Sequence, residues 1–175
     1  MKMGKTEDIE FDKEKFKQVL HYIIHQCGYL ENVGKTVLYK ILYFTDFDYY
    51  ELYEEKLTGE LYRKLPLGPA PVHFEEEIEE LEEEGKIQQF PIMRGKFEQQ
   101  KFISTEKPNI DLLNGKEVQL IEEDIARYVS MNAIQISAFS HRDMPYKATG
   151  DGDIINYELV FYRDPLFSVR EYGDD

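Results

Sequence analysis

The chain has no tryptophan, a single cysteine, and no apolar run approaching the ~18 residues that a membrane span requires. Cys27 alone cannot build an internal disulfide framework, and such cysteine usage fits a reducing cytoplasm. The opening MKMGKTEDIEFDKEKF holds no apolar core of signal-peptide length, so a cytoplasmic location is expected. Cations are also scarce: 21 Lys and Arg stand against 35 Asp and Glu, a net charge of −14. Nucleic-acid binding draws most of its affinity from Lys and Arg neutralising phosphates, and the longest basic stretch, Arg94-Gly95-Lys96, is too short to supply that. Nucleic acid and anionic membrane surfaces are therefore disfavoured as partners, and a basic protein is the natural complement. Phosphate-binding loops are missing too: there is no G-x-x-x-x-G-K-[ST] and no G-x-G-x-x-G, and Gly68-Pro69-Ala70-Pro71 has lost two of the amides a phosphate cradle needs. No G-x-S-x-G elbow occurs. No cofactor is expected.

What is present is a strongly patterned globular chain. Neither an internal repeat nor a compositional seam divides it, so one domain is expected over residues 13–165, with a polar tail at 1–12 and another at 166–175. Phe16, Val19, Leu20, Ile23, Ile24 and Cys27 keep helical spacing, with Asp12 placed to cap the start and Gly28 to stop the end. From Lys35 to Glu55 the apolar residues cover most of a helix circumference, many of them tyrosines, as in a central helix packed on several sides. Leu57 to Leu67 reads as a turn at Thr58-Gly59 and a short strand, from which Gly68-Pro69-Ala70-Pro71 is expected to depart sharply. A helix with Phe74, Ile78 and Leu81 facing inward and eight glutamates between Glu75 and Glu84 follows, ended by Gly85. Residues 87–93 and 99–104 predict an antiparallel hairpin. Asn114 with Glu117, then Asn132, then Asn156 predict three further helix starts, although 154–162 also fits a strand. The sum is a mainly helical α+β single domain with a central Tyr-rich helix and a small antiparallel sheet.

Two blocks carry a family likeness. LYKILYFTDFDYY with LTGELYRKLPLGPAP, and later AIQISAFSHRDMPYKA, contribute Lys40, Leu42, Tyr43, Phe44, Asp46, Thr58, Gly59, Tyr62, Gly68, Pro69, His141 and Pro145. Over roughly residues 20–163 this pattern resembles the Panacea domain, the SocA-like antitoxin family often linked to prophages. Where that family usually has Trp after the late proline, this chain has Tyr146. The resemblance implies an antitoxin of a type II toxin-antitoxin system that neutralises a basic protein toxin by direct binding, without catalysis. It also admits an adaptor that delivers the toxin to a protease.

Partner-binding or family-motif candidates are accordingly Tyr43, Asp46, Tyr62, Gly68, Pro69, Glu82, Glu83, His141, Asp143 and Tyr146. Glu82, Glu83 and Glu84 crowd a helix C-terminus, where negative charge is unfavourable unless a Lys or Arg of this chain or of a partner relieves it. A competing reading is a small metal-dependent or hydrolytic enzyme using His141 and Asp143 with Ser137 or Ser140. His21-x-x-x-His25 has metal-ligand spacing, but both align with Lys17 on the polar side of their helix, which argues against a site there. The glutamate run reads as a solvated helix face rather than a calcium loop, since carboxylates on a helix point apart. His141 and Asp143 are expected to brace the turn before Pro145.

Overall fold

A computed structural model describes residues 10–173. Helix α1 spans Lys13–Cys27; the Asp12 side chain accepts from the Lys15 amide at 3.2 Å, the cap expected for it. The predicted stripe from Phe16 to Cys27 is fully buried. Helix α2, Lys35–Tyr53, lies at the centre and packs against α1, both hairpins and the helical segments 115–128, 133–141 and 157–162. Its aromatic rings meet rings from distant elements face to face: Phe44 stacks on Tyr128 at 4.5 Å between centroids and Phe47 on Tyr157 at 4.2 Å. Large aromatic areas removed from water at these contacts supply much of the driving force for folding.

The Gly-Pro segment does not leave the preceding strand; it returns alongside it. Tyr62–Leu65 and Gly68–Pro71 form an antiparallel hairpin, with Tyr62 opposite Pro71 and Lys64 opposite Pro69. Prolines are tolerated because the hairpin's other edge uses the intervening groups: Lys64 donates to the Asp153 carbonyl and accepts from the Gly152 amide, and the Tyr62 carbonyl accepts from the Ile155 amide, so these groups point away from Pro69 and Pro71. Gly68 adopts φ +118° at the start of the return strand, a conformation that favours glycine.

Helix α3, Phe74–Glu83, ends at Gly85 as predicted. The second hairpin pairs Ile87–Arg94 with Phe97–Ser104. Its Lys101 is buried, and its ammonium donates to the carbonyls of Leu30 and Val33 at 2.6 and 2.7 Å, closing the α1–α2 loop. Helices α4 (Gly115–Tyr128) and α5 (Ala133–His141) both begin with complete capping boxes, Asn114 with Glu117 and Asn132 with Gln135. A four-residue α6, Met144–Lys147, and a 3-10 helix, Tyr157–Tyr162, complete the order. The helical alternative for the segment after Asn156 is therefore the one adopted.

Both ends of the described chain are docked. Expected tail residues 1–9 and 174–175 lie outside the described residues, but Phe11 stacks on His73 at 4.0 Å. At the other end Phe167 is in the core, and Ser168 Oγ, the Val169 amide and the Tyr172 hydroxyl all bond to the Glu51 carboxylate. Residues 166–172 thus form a packed arm rather than a loose tail. Among the described residues no helix is long and apolar enough to cross a membrane.

A Cβ at Gly68 would lie 2.4 Å from Lys40 Cε and 2.7 Å from Ser140 Oγ, whereas one at Gly95 in the second hairpin turn, φ +61°, meets nothing within 4 Å. Gly68→Ala is expected to cost about 2–3 kcal/mol, from backbone strain plus overpacking, and Gly95→Ala about 1 kcal/mol, from backbone strain alone. Urea unfolding of the two variants checks the order.

Candidate functional site: a buried polar network beneath the family motif

The residues singled out from sequence assemble around α2, and most face inward. Asp46 is buried and accepts from Thr58 Oγ1 at 2.9 Å, from the Thr58 amide at 3.2 Å, and from the Tyr62 hydroxyl through a short bond. The Tyr62 hydroxyl also lies 3.0 Å from the Leu42 carbonyl. The Thr-Gly turn and the following tyrosine are therefore the partners of the helix aspartate. Burial pushes the Asp46 carboxyl up to about 7, against the opposing pull of its three donors.

Six residues earlier, Lys40 is 1% exposed, and among the described residues its ammonium has one acceptor, the Pro69 carbonyl at 3.2 Å. An ammonium carries three donors, so this is a poorly satisfied charge, and burial lowers its pKa to about 7. Gly68 admits the lysine stem because it lacks a side chain.

His141 and Asp143 do not converge on a common point. His141 Nδ1 faces the Ser137 carbonyl at 2.5 Å and Nε2 the Pro66 carbonyl at 2.7 Å, so the ring ties α5 to the first hairpin's turn. Tyr146 does the same through its hydroxyl, which donates to the Leu65 carbonyl at 2.7 Å, while Lys64 Nζ sits 4.5 Å from the centre of its ring. Tyr146, where the resemblance implied a tryptophan, thus supplies an aromatic anchor with a donor. The bracing expected of His141 goes to backbone; that of Asp143 goes to side chains, a correction to the sequence expectation.

Asp143 accepts both arms of a bidentate contact from Arg163, Nε at 3.0 Å and the terminal nitrogen at 2.8 Å, and also the Tyr43 hydroxyl at 2.8 Å. Arg163 has a fully buried side chain. Its other terminal nitrogen donates to Asp48 Oδ1 at 2.7 Å and to Glu51 Oε1 at 3.0 Å. Asp48 in turn abuts Asp124 of α4, and Arg127 reaches Asp124 at 3.1 Å from a half-exposed position. Asp48, Glu51, Asp124 and Asp143 therefore share Arg163 and Arg127. Asp48, Glu51, Asp124 and Arg163 are absent from the candidates named from sequence. Their available signal was acidic residues inside a helix apolar all round, which require a buried cation from elsewhere.

The remaining candidates lie at the surface of α3. Glu82 accepts from Gln89 of the second hairpin, and Glu83 is exposed. Relief of the crowded helix end is intramolecular in part: Glu84 pairs with Lys17 at 2.7 Å and Lys86 at 3.4 Å, and Glu80 with Lys13 and Lys17. Lys17 and His21, expected on a polar face, are buried, because the second hairpin and α3 cover that side of α1. His21 and His25 both contact Ser104 Oγ, at 3.0 and 3.2 Å. Burial holds the His21 ring toward its neutral form and pushes the Cys27 thiol up to about 12. Among the described residues no three His, Cys, Asp or Glu side chains are placed to hold a metal ion.

In this chain a short Gly-Pro hairpin is clamped onto a Tyr-rich helix by buried polar pairs. A family model described as Antitoxin SocA-like, Panacea domain, matches residues 38–147. The chain belongs to that family. No curated protein and no solved structure matches it.

Two outcomes test the network. Arg163→Met leaves Asp48, Glu51 and Asp143 without their buried cation and is expected to cost at least about 3–5 kcal/mol, seen as loss of the cooperative unfolding transition. Lys40→Met should do the reverse. A lysine whose folded pKa is depressed to about 7 binds fewer protons folded than unfolded, so wild-type stability rises with pH from about 7 to about 10. Lys40→Met is expected to stabilise the protein at pH 7 by about 2–4 kcal/mol and to flatten that rise, measured by chemical denaturation across the range.

Proposed function

We propose that this chain neutralises a protein toxin by direct contact through its surface. The observation that carries this reading is where the polar groups go. The polar groups of the family motif are bonded inside the fold, whereas a stripe of unpaired glutamates stands on the surface of α3. Among the described residues Glu76, Glu79 and Glu83 are exposed on α3 without an ion-pair partner. Their spacing of three and four residues places them on one face of the helix. Such a stripe, on a chain of net charge −14, attracts a basic partner and accelerates encounter with it. Exposed Tyr and Phe side chains elsewhere on the surface offer the contact area that an interface needs beyond charge; Tyr29, Phe97 and Tyr162 are each at least two-thirds exposed.

The toxin is expected from the reading frame neighbouring this one in its genome. That frame, expressed alone, should arrest growth, and co-expression with this chain should rescue it and yield a co-purifying complex. Toxicity without rescue, or rescue without a complex, sinks direct neutralisation by that pairing. Inhibition of the purified toxin in the absence of any protease separates masking from proteolytic delivery. Glu76→Lys/Glu79→Lys/Glu83→Lys should slow association about tenfold or more at low salt while leaving the unfolding midpoint nearly unchanged. An unchanged association rate would move the interface off α3.

A further inference from the structure

The carboxyls of Asp48 on α2 and Asp124 on α4 are both wholly buried, and each has one oxygen, Oδ2, that receives no N–H or O–H from any described residue. Arg127 Nη1 lies 3.7 Å from Asp48 Oδ2 and 3.1 Å from Asp124 Oδ1, which brings the two carboxyls into one buried space. Two carboxylates so placed repel and can only accept, whereas a proton on one of them supplies the donor that their orphan oxygens lack. We propose that Asp48 and Asp124 share a single proton, and that this proton is the latch holding α4 against the central helix.

The surroundings assign the proton to Asp124. Asp48 faces Arg163 at 2.7 Å and Arg127 at 3.7 Å, and lies near Asp143 and the Tyr43 hydroxyl. Asp124 faces Arg127 at 3.1 Å, with Arg163 and Tyr128 more distant. Arg163, which also serves Glu51 and Asp143, favours the ionised form of Asp48 over that of Asp124. Burial and the neighbouring Asp48 then raise the Asp124 carboxyl well above the ordinary carboxylate range. The pair behaves as one acid, in which loss of the proton sets two buried like charges against each other.

The consequence is mechanical. Leu120, Glu123, Arg127 and Tyr128 of α4 form one wall of a groove of ≈ 570 Å³, whose opposite wall is the C-terminal arm from Leu166 to Glu171. Deprotonation removes the bond that seats α4 and leaves repulsion in its place, so α4 loosens and the groove widens. Stability follows with a definite sign. A carboxyl with a raised folded pKa holds its proton in the folded state while the unfolded chain has released it, so stability falls as pH rises from about 4.

Asp124→Asn keeps a donor toward Asp48 and removes the titration. The ratio of folding constants, Asp124→Asn over wild type, should increase about tenfold from pH 5 to pH 6, whereas contributions from Asp46 and Lys40 cancel between the two proteins. Carbon-13 carboxyl signals of aspartate-labelled wild-type protein, which do not depend on a variant folding, should show Asp124 neutral at pH 6. Amide protection along α4 of the wild type should fall on raising the pH past the pair's titration, with α1 unaffected. A pH-independent ratio, or an ionised Asp124 at pH 6, overturns the shared proton; unchanged α4 protection after titration overturns the latch.

Discussion

Arg163 is the group on which the rest of the polar interior depends. It lies just beyond the 3-10 helix and enters a region where α2 contributes Asp48 and Glu51 and the turn before α6 contributes Asp143. Each of these carboxylates would be costly to bury alone, and together they would repel. A guanidinium suits the place because its planar fork presents five donors in fixed directions, and its four contacts here reach three carboxylates on α2 and the turn before α6. Arg163 lies outside the segment matched by the family model, which ends at residue 147. The carboxylates Asp48, Glu51 and Asp143 of the matched part therefore depend on an arginine beyond it for their neutralising charge.

Seen from that cluster, the motif residues acquire separate physical jobs. Asp46 receives the Thr-Gly turn and Tyr62; Lys40 fills the space under Gly68 and Pro69; His141 and Tyr146 hold the hairpin turn by its carbonyls. These bonds fix one small hairpin at one orientation on α2. None of them leaves a reactive group facing solvent at a concave site.

Sequence patterning discloses the helices well because their signals are local. The α1 stripe, the Asn114 and Asn132 capping boxes and the Gly85 stop all depend on residues within one or two turns. The Gly-Pro strand escapes such reading. Whether two prolines can sit in a hairpin depends on which edge of the partner strand is already bonded, and residues 152–155, some ninety positions away, decide that. The polar face of α1 fails similarly: Lys17 and His21 keep polar spacing, yet the second hairpin and α3 cover them. For the candidate site, the two motif blocks pick out Asp46 with Tyr62 and His141 with Asp143. The partner of Asp143 is an arginine twenty residues on, in a segment whose helical and strand readings were both open.

The buried titratable groups have one more joint consequence. Asp46, raised to about 7, loses stability as pH climbs from about 4; Lys40, lowered to about 7, gains it only above neutrality. Asp124 adds to the first effect. All of these groups therefore cost stability near neutral pH, where each is held against its preferred charge state. Apolar residues of similar size would pack there without that cost. What apolar residues cannot do is discriminate between alternative seatings of a four-residue strand on a helix that is greasy on every side. Sliding or rotating the hairpin leaves hydrophobic contact largely intact, but strips Asp46 of its donors and Lys40 of its acceptor, penalties of about 1–3 kcal/mol or more apiece. On this helix, directional bonds supply the register that hydrophobic burial leaves undetermined.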